Sequence, residues 1–373
     1  MSKHISFLFG AGISVPAGLP STKKISNKVI NGQALGLEGY ESKRLIPFIK
    51  TVYKKLQSSD GKESFNFEDL YYICSQLKGY WQEYDNPVVL SFIDDIIDDL
   101  VQIKYFKILS NKNELRMEIS RLAEKTINFM NAVISKSLNK NELKIDYFKF
   151  LEEINNDNRI SSLNIFTLNY DLLLEKYFYQ EKISFYDGFI KNKGSSIRVW
   201  QGDFIKASEK IKLLKIHGSV NWYRCRKSFE NDYSYFFANT GIDISNKKEI
   251  SSHIVQPKPM ILAGRFNKIL EYNRSIYVDL HYSFYRLLDL TETIFISGYS
   301  FNDLGINTWL IDWMYSSKTK KIILIHPEPE ACIANARPGI QEHYKKWHKD
   351  KFISLSIPIQ LFSWQKYSRL LKY

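Results

Sequence analysis

The clearest hydrophobic pattern along the chain is a set of short apolar runs that stop abruptly at glycine or polar residues. Ile5–Phe9 ends at Gly10-Ala11-Gly12, Leu163–Leu168 at Asn169, and Ile211–Ile216 at His217-Gly218. Met260–Leu262, Thr293–Ile296 and Ile322–Ile325 complete the series. Short segments this rich in apolar and β-branched residues, ending directly in a polar or glycine turn, predict the strands of a parallel sheet. Ligands of such sheets collect beyond the carboxyl ends of the strands, so the polar residues there are candidates for function. Between the first two runs the period becomes helical. Thr22–Asn31 reads as a first helix and a glycine-bearing loop follows near residues 32–39. Ile46, Phe48, Ile49, Val52, Tyr53 and Leu56 then recur on one helical face, as do Phe92, Ile93, Ile96, Ile97, Leu100 and Ile103. Asn111–Ser137 predicts another long helix. Such stripes face a core rather than a cofactor. The expected architecture is α/β, a Rossmann-like three-layer, mostly parallel sheet with a large helical insertion. Residues 1–35 and 158–334 would carry the sheet, 36–157 the insertion, and 335–373 a C-terminal tail.

The first strand ending is the most specific. Gly10, Ala11 and Gly12 are followed by Ser14, Gly18, Pro20 and Ser21. Glycines let a backbone approach a ligand closely, and free N–H groups at a helix start favour a phosphate. The next glycine after Gly12 is Gly18, so the spacing is not that of the ordinary dinucleotide fingerprint. A glycine-rich connection without a ligand is the plainer alternative.

Composition narrows the classes. The 373 residues are 44% hydrophobic and 15% aromatic, enough for a large core and two structural units. A secretory signal fits poorly, because Gly10, Gly12 and Pro16 interrupt the N-terminal apolar run. No run approaches the roughly 18 apolar residues of a spanning helix. The three cysteines, Cys74, Cys225 and Cys332, are scattered, so neither a disulfide framework nor a zinc cluster is expected. The expectation is a cytoplasmic protein. The net charge of +12 is spread through amphipathic segments, with its densest clusters at Lys318–Lys321 and Lys345–Lys351. It reads as solvated surface, with an anionic ligand or acidic partner as a further use. The remaining histidines have no ligand-like spacing, and no metal is expected.

Four strand endings together resemble the sirtuin family. Gly10-Ala11-Gly12-Ile13-Ser14 resembles its glycine-alanine-glycine-x-serine opening. Thr167-Leu168-Asn169-Tyr170-Asp171 is similar to threonine-glutamine-asparagine-isoleucine-aspartate, and His217-Gly218 to the histidine-glycine element. Ser297-Gly298-Tyr299-Ser300 stands where sirtuins carry glycine-threonine-serine. Asn-Tyr-Asp and His-Gly-Ser-x-Asn-Trp are most similar to bacterial sirtuin-like NAD-hydrolysing effectors of phage defence. Departures bear on the activity. No zinc-like cysteine pairs follow His217, Ala263-Gly264-Arg265 replaces the peptide-pairing segment, and Ser21-Thr22-Lys23 replaces aspartate-phenylalanine-arginine.

The resemblance implies NAD as substrate, held by Gly10, Ala11, Gly12, Ser14, Gly18, Pro20, Ser21, Asp171, Gly298, Ser300 and Glu328. Asn169 would position the ribose or water through its amide, and His217 would act as base near neutral pH. Asp171 would hold the nicotinamide amide or support the loop. Glu328 follows His326, where sirtuins present asparagine and glutamate to the adenosine ribose. Alone, Asn169 and Asp171 also read as a turn, His217 as a structural histidine, and Asn302-Asp303 as a helix cap. The implied function is NAD⁺ hydrolysis to ADP-ribose and nicotinamide, depleting NAD during infection. A protein deacylase or ADP-ribosyl transferase, and a non-catalytic NAD- or ADP-ribose-binding module, are the alternatives. No sensor domain is recognisable, so activation is expected from a homo-oligomer or a separate partner. By resemblance, that partner would be a HerA-like ATPase or an Argonaute-type protein. The insertion and the tail aromatics Tyr344, Trp347, Phe352, Trp364 and Tyr367 are candidate assembly surfaces.

Overall fold

The computed structural model describes residues 3–32, 42–60, 66–79, 87–102, 111–140, 142–191, 198–226, 233–237, 254–264, 268, 272–347 and 351–371. Most of the expected 32–39 loop lies outside these residues, as do Ile103, Arg265, His348 and Lys349. In chain order, β1 (Lys3–Phe9) precedes the helices α1 (Thr22–Ile30), α2 (Ser42–Asp60), α3 (Phe67–Gly79), α4 (Pro87–Val101) and α5 (Lys112–Leu138). Next come α6 (Lys149–Asn155), β2 (Ile160–Thr167) and α7 (Leu173–Gln180). They lead to β3 (Phe189–Lys191), β4 (Arg198–Trp200), β5 (Ile211–Lys215), β6 (Gly218–Arg226), β7 (Tyr233–Phe237) and β8 (Ile254–Ile261). The chain continues through α8 (Ile276–Asp289), β9 (Thr293–Ser297), α9 (Leu304–Ser316), β10 (Lys321–His326) and α10 (Pro329–Ala334). It ends with α11 (Pro338–Lys346), β11 (Phe352–Ser356) and α12 (Trp364–Tyr367).

Two compact units divide the chain. The first comprises Met1–Leu19, Leu138–Ile261 and Glu271–Tyr373. Its main sheet has six strands in the order β11-β10-β9-β1-β2-β5, all parallel. Taken in sequence, the strands run outward from β1 through β2 to β5, then restart at β9 on the other side. That is the doubly wound order, with its reversal between β1 and β9. β1 is central, and five consecutive residues from Ile5 to Phe9 are buried. Phe7 stacks on Phe295 at 4.9 Å and meets Phe150 of α6 at 5.4 Å, while on the other face Phe166 meets Phe284 of α8 at 4.7 Å. Burying side chains of this size contributes about 1.5–3 kcal/mol each. Helices cover both faces, giving the three expected layers.

A second, five-stranded sheet in the same unit has the order β3-β4-β7-β6-β8 and antiparallel pairing. Of the Met260–Leu262 run expected in the parallel sheet, Met260 and Ile261 instead close β8 at the edge of this one. The physical reason was in the sequence: Pro257 and Pro259 cannot donate to a ladder, which confines such a strand to an edge. Residues 335–373 form no separate tail. β11 adds the sixth strand beside β10, and Trp347, Phe352 and Trp364 are buried. Trp364 lies 6.2 Å from Phe295, so these aromatics serve the core rather than a free surface.

The second unit comprises Pro20–Ser137 with Leu262–Leu270. Of the predicted stripe positions its helices bury Phe48, Ile49, Val52, Leu56, Ile93, Ile96, Ile97 and Leu100, while Ile46 and Tyr53 are half-buried and the Phe92 side chain lies outside those described. Its limits differ from the expected 36–157. α1 belongs to the helices, since the Phe67 N–H donates to Ser26 Oγ at 2.9 Å. α6 belongs to the sheet, burying Phe150, Leu151 and Ile154 in its core. No helix among the described residues is long and apolar enough to cross a membrane.

Candidate active site

Strand register gathers the chemistry. Lys215 pairs with Thr167, Thr167 with Phe9, Phe9 with Ser297, and Ser297 with Ile325. Gly10, Asn169, His217, Gly298 and Glu328 all follow this line within three residues. The carboxyl edge of the sheet, spanning its topological reversal, therefore carries the four strand-ending motifs that begin with Gly10, Thr167, His217 and Ser297.

At the reversal the backbone itself fills the space. The Gly10 N–H donates to the Ser297 carbonyl at 3.0 Å, and the Gly12 N–H to the Gly298 carbonyl at 2.9 Å. A Cβ on Gly10 would stand 2.4 Å from Gly298 O, and one on Gly298 2.4 Å from the Ile13 nitrogen. Gly298 also has φ of +66°, a conformation that favours glycine. These glycines let the first and fourth loops interlock. Ala11 and Gly12 remain exposed at the rim. Gly18 differs: its φ is +93°, and nothing lies within 4 Å of its Cβ position.

Toward β2 a chain of side-chain hydrogen bonds takes over. Asn169 Nδ2 donates to the Gly10 carbonyl and to Ser14 Oγ, each at 3.1 Å. Ser14 in turn donates to Asp171 Oδ2 at 2.7 Å. Asp171 Oδ1 accepts the Leu173 N–H at 3.0 Å, at the start of α7. Of the two functions expected for Asp171, the hydrogen bonds show loop support. Tyr147 donates to the Ile13 carbonyl at 2.6 Å, and burial with the nearby Asp171 charge raises its pKa, keeping the hydroxyl a neutral donor. Below the loop, Lys215 is 1% exposed and donates to the Asp171 carbonyl and, at 2.7 Å, to Glu175 Oε1. Burial raises the Glu175 pKa and the Lys215 charge opposes the rise. All of this fixes the Asn169 amide, yet its Oδ1 is buried without a hydrogen-bond partner. The same holds for Asn221 Nδ2 on β6, whose Oδ1 accepts from Ser219 at 2.8 Å. Buried polar atoms are ordinarily satisfied, so an acceptor and a donor held open at the mouth of a sheet point to a polar ligand.

His217 is 3% exposed, and its Nε2 lies 3.3 Å from Asp303 Oδ2. Gly218 follows with φ of +83°, and a Cβ there would meet the Met260 carbonyl at 2.1 Å, so only glycine allows the turn from β5 into the second sheet. Asp303 caps α9 through the Ile306 N–H at 3.1 Å and accepts from Tyr272 Oη at 3.3 Å. Tyr272 stacks at 3.6 Å on His281, a buried histidine with neither ring nitrogen hydrogen-bonded.

The structure thus joins Gly10, Gly12, Ser14, Asn169, Asp171 and Gly298 in direct contact. His217 stands on the next strand with Asp303. Ser300 and Glu328 are exposed on the same edge, Ser300 accepting from Asn302 Nδ2 at 3.0 Å. Pro20 and Ser21 fall in the helical unit, where Ser21 Oγ caps α1 by accepting the Lys24 N–H at 3.4 Å. Sequence reasoning passed over Lys215, Asn221, Tyr272 and His281, and read Asp303 as a cap alone. Only Asn221 carried a signal, its place two residues after Ser219 in the histidine element. Among the described residues no group of histidine, cysteine, aspartate and glutamate is placed to hold a metal.

A family model for the SIR2-like domain matches residues 163–355, more than half of the chain. Among solved structures the chain is similar to a mutant Sir2 homologue in complex with 2′-O-acetyl-ADP-ribose, at 13% identity over 100% of this chain and 91% of that one, with a TM-score of 0.41. It is also similar to a Sir2 homologue in complex with NAD, at 14% identity over 92% and 90% of the two chains, with a TM-score of 0.38. No curated protein matches the chain.

Proposed function

The chain belongs to the SIR2-like family, an NAD-utilising family, and we propose that it hydrolyses NAD⁺ to ADP-ribose and nicotinamide. The observation that carries this reading is the Asn169 amide. Its donor side is locked to Gly10 and Ser14, while its acceptor oxygen is buried and open. A ribose hydroxyl or a water would donate to that oxygen, and either would be held at the sheet edge beside the next strand ending at His217.

Nicotinamide in NAD⁺ leaves as a neutral molecule, because the bond to ribose already carries the positive charge. The paired carboxylates of ordinary glycoside cleavage are therefore not required, although the sugar passes through the same oxocarbenium-like state. Water forms the new bond to the anomeric carbon, the bonding pair leaves with nicotinamide, and His217 takes the proton that water loses. A positioned base of this kind is worth about 10²–10⁴-fold. The rim formed by Ala11, Gly12 and Ser300 would meet the pyrophosphate, and Glu328 the adenosine ribose. Infection-triggered NAD depletion, with assembly or a partner chain as activator, is the biological setting proposed for this activity.

The test is nicotinamide release from NAD⁺ by the purified chain, beside His217→Ala and Asn169→Ala, with products identified by mass. ADP-ribose formation lost in both variants supports the reading. NAD binding by calorimetry without nicotinamide release, in the chain alone and in its native assembly, would replace it with a binding module.

A further inference from the structure

Two side chains from separate segments stand beside His217, the Asp303 carboxylate at 3.3 Å and the Tyr272 ring at 6.5 Å. The Asp303 carboxylate is anchored by its cap bond, with Oδ1 taking the Ile306 N–H at 3.1 Å and Tyr272 Oη at 3.3 Å. Its other oxygen, Oδ2, lies 3.3 Å from His217 Nε2, an ion-pair contact rather than a hydrogen bond, and Tyr272 Oη lies 3.5 Å from it. A carboxylate at a helix N-terminus is favoured by the exposed N–H groups, so α9 holds a negative charge against the imidazole. The carboxylate side chain is 11% exposed and that of the histidine 4%, which weakens solvent screening between them. The cap alone requires neither the imidazole contact nor the Tyr272 hydroxyl.

We propose that Asp303 is the positioning residue of His217, forming with it a histidine–aspartate dyad that sets the ring orientation and stabilises its protonated form. The dyad rests on the hydrolase reading for its catalytic use, but the pairing itself is a property of the free protein. A carboxylate beside a base holds the imidazole in one orientation and stabilises the imidazolium formed when it accepts a proton. Tyr272, stacked parallel to His217 at 6.5 Å and hydrogen-bonded to Asp303, braces both members. Among the described residues, other titratable groups stand around the pair, including Arg337, whose Nε donates to the Asn302 carbonyl at 2.7 Å. His281 lies behind Tyr272 and is held uncharged by burial. Tyr299 donates to the Asp303 backbone carbonyl at 3.2 Å, and the Tyr277 hydroxyl stands by Gly218.

The test uses two variants that keep a good helix cap and remove the charge, Asp303→Asn and Asp303→Ser. Histidine ring NMR of the full chain, with His217 assigned through His217→Ala, gives the titration midpoint without any turnover. In both variants that midpoint falls by about one pH unit or more. The acid limb of kcat/KM for NAD⁺ moves to lower pH by the same amount, because the neutral ring persists to lower pH. Maximal kcat drops about 10–10²-fold, within what a base can contribute, while thermal unfolding stays near wild type. An unchanged His217 midpoint in both folded variants would overturn the dyad and leave Asp303 a cap. Failure of the hydrolase reading has a different signature: no nicotinamide release from any of the proteins, with the midpoint shift still present.

Discussion

The two halves of the sheet's carboxyl edge are built on opposite plans. On the β9–β1 side, Gly10, Gly12 and Gly298 interlock backbone against backbone, with hydrogen bonds at 2.9 and 3.0 Å and no room for a Cβ. On the β2–β5 side, side chains do the joining, and Asn169 and Asn221 each keep one buried polar atom open. The glycine half therefore owes its composition to packing within the fold, and the buried polar atoms left open at this edge lie on the other half. Glycines at a nucleotide-type turn are usually explained by the approach of a phosphate. Here their first duty is the approach of another loop.

Alanine substitutions on the glycine half test this most severely. Gly298→Ala combines a left-handed backbone with a Cβ 2.4 Å from the Ile13 nitrogen. Strain and overpacking together cost about 3–5 kcal/mol. That is a large part of a typical domain's stability, so loss of soluble protein or a steep fall in Tm is expected. Gly18→Ala, in the same loop system, meets open space and carries only the backbone penalty of about 1–2 kcal/mol. Equal melting temperatures for the two variants would mean that the interlocked glycines are not the structural closure.

This contrast also explains what could be read in advance. The strand endings were legible because short, mostly apolar runs stop at chemically distinctive residues, and strand register then brings those residues to one edge. The helical stripes were legible because Phe48, Ile49 and Val52 repeat with helical period. The partners of the site were not legible. Asp303 lies 86 residues from His217 in sequence, and its only local signal is the cap it makes to Ile306. Lys215 looks like an ordinary polar position in a strand until the fold buries it against Glu175. The tail was misread for a related reason: an aromatic run does not say whether its rings face solvent or, like Trp364, a core.

Ser14 links the two halves and gives the next-largest effect. Ser14→Ala removes the donor to Asp171 Oδ2 and one of the two acceptors of Asn169 Nδ2. Leaving buried groups unsatisfied costs about 1–3 kcal/mol. Nicotinamide release should fall further than stability does, since the Asn169 amide is then held by the Gly10 carbonyl alone among these contacts. A variant that melts lower yet retains full activity would place Ser14 with the glycines, as a packing element, and shift the boundary between the halves.

At neutral pH the smallest effect concerns His281, at the back of the side-chain half. Burial, reinforced by the neighbouring His217 and opposed by Asp303, pushes its pKa down from the usual 6.5 to about 3. In the unfolded chain the ring protonates below pH 6.5, whereas in the folded protein it stays neutral until about pH 3. The unfolded state thus binds more protons across this window, and stability falls as pH drops from 6.5 toward 3. The contribution of one such group is at most about 1.4 kcal/mol per pH unit. His281→Phe keeps a ring stacked on Tyr272 and removes the titration, so its urea-unfolding free energy should decline less steeply over that range while changing little at pH 7.5. Parallel acid branches for wild type and variant would show that His281 is charged or solvated in the folded protein, and the side-chain half would then be wetter than its buried, open polar atoms imply.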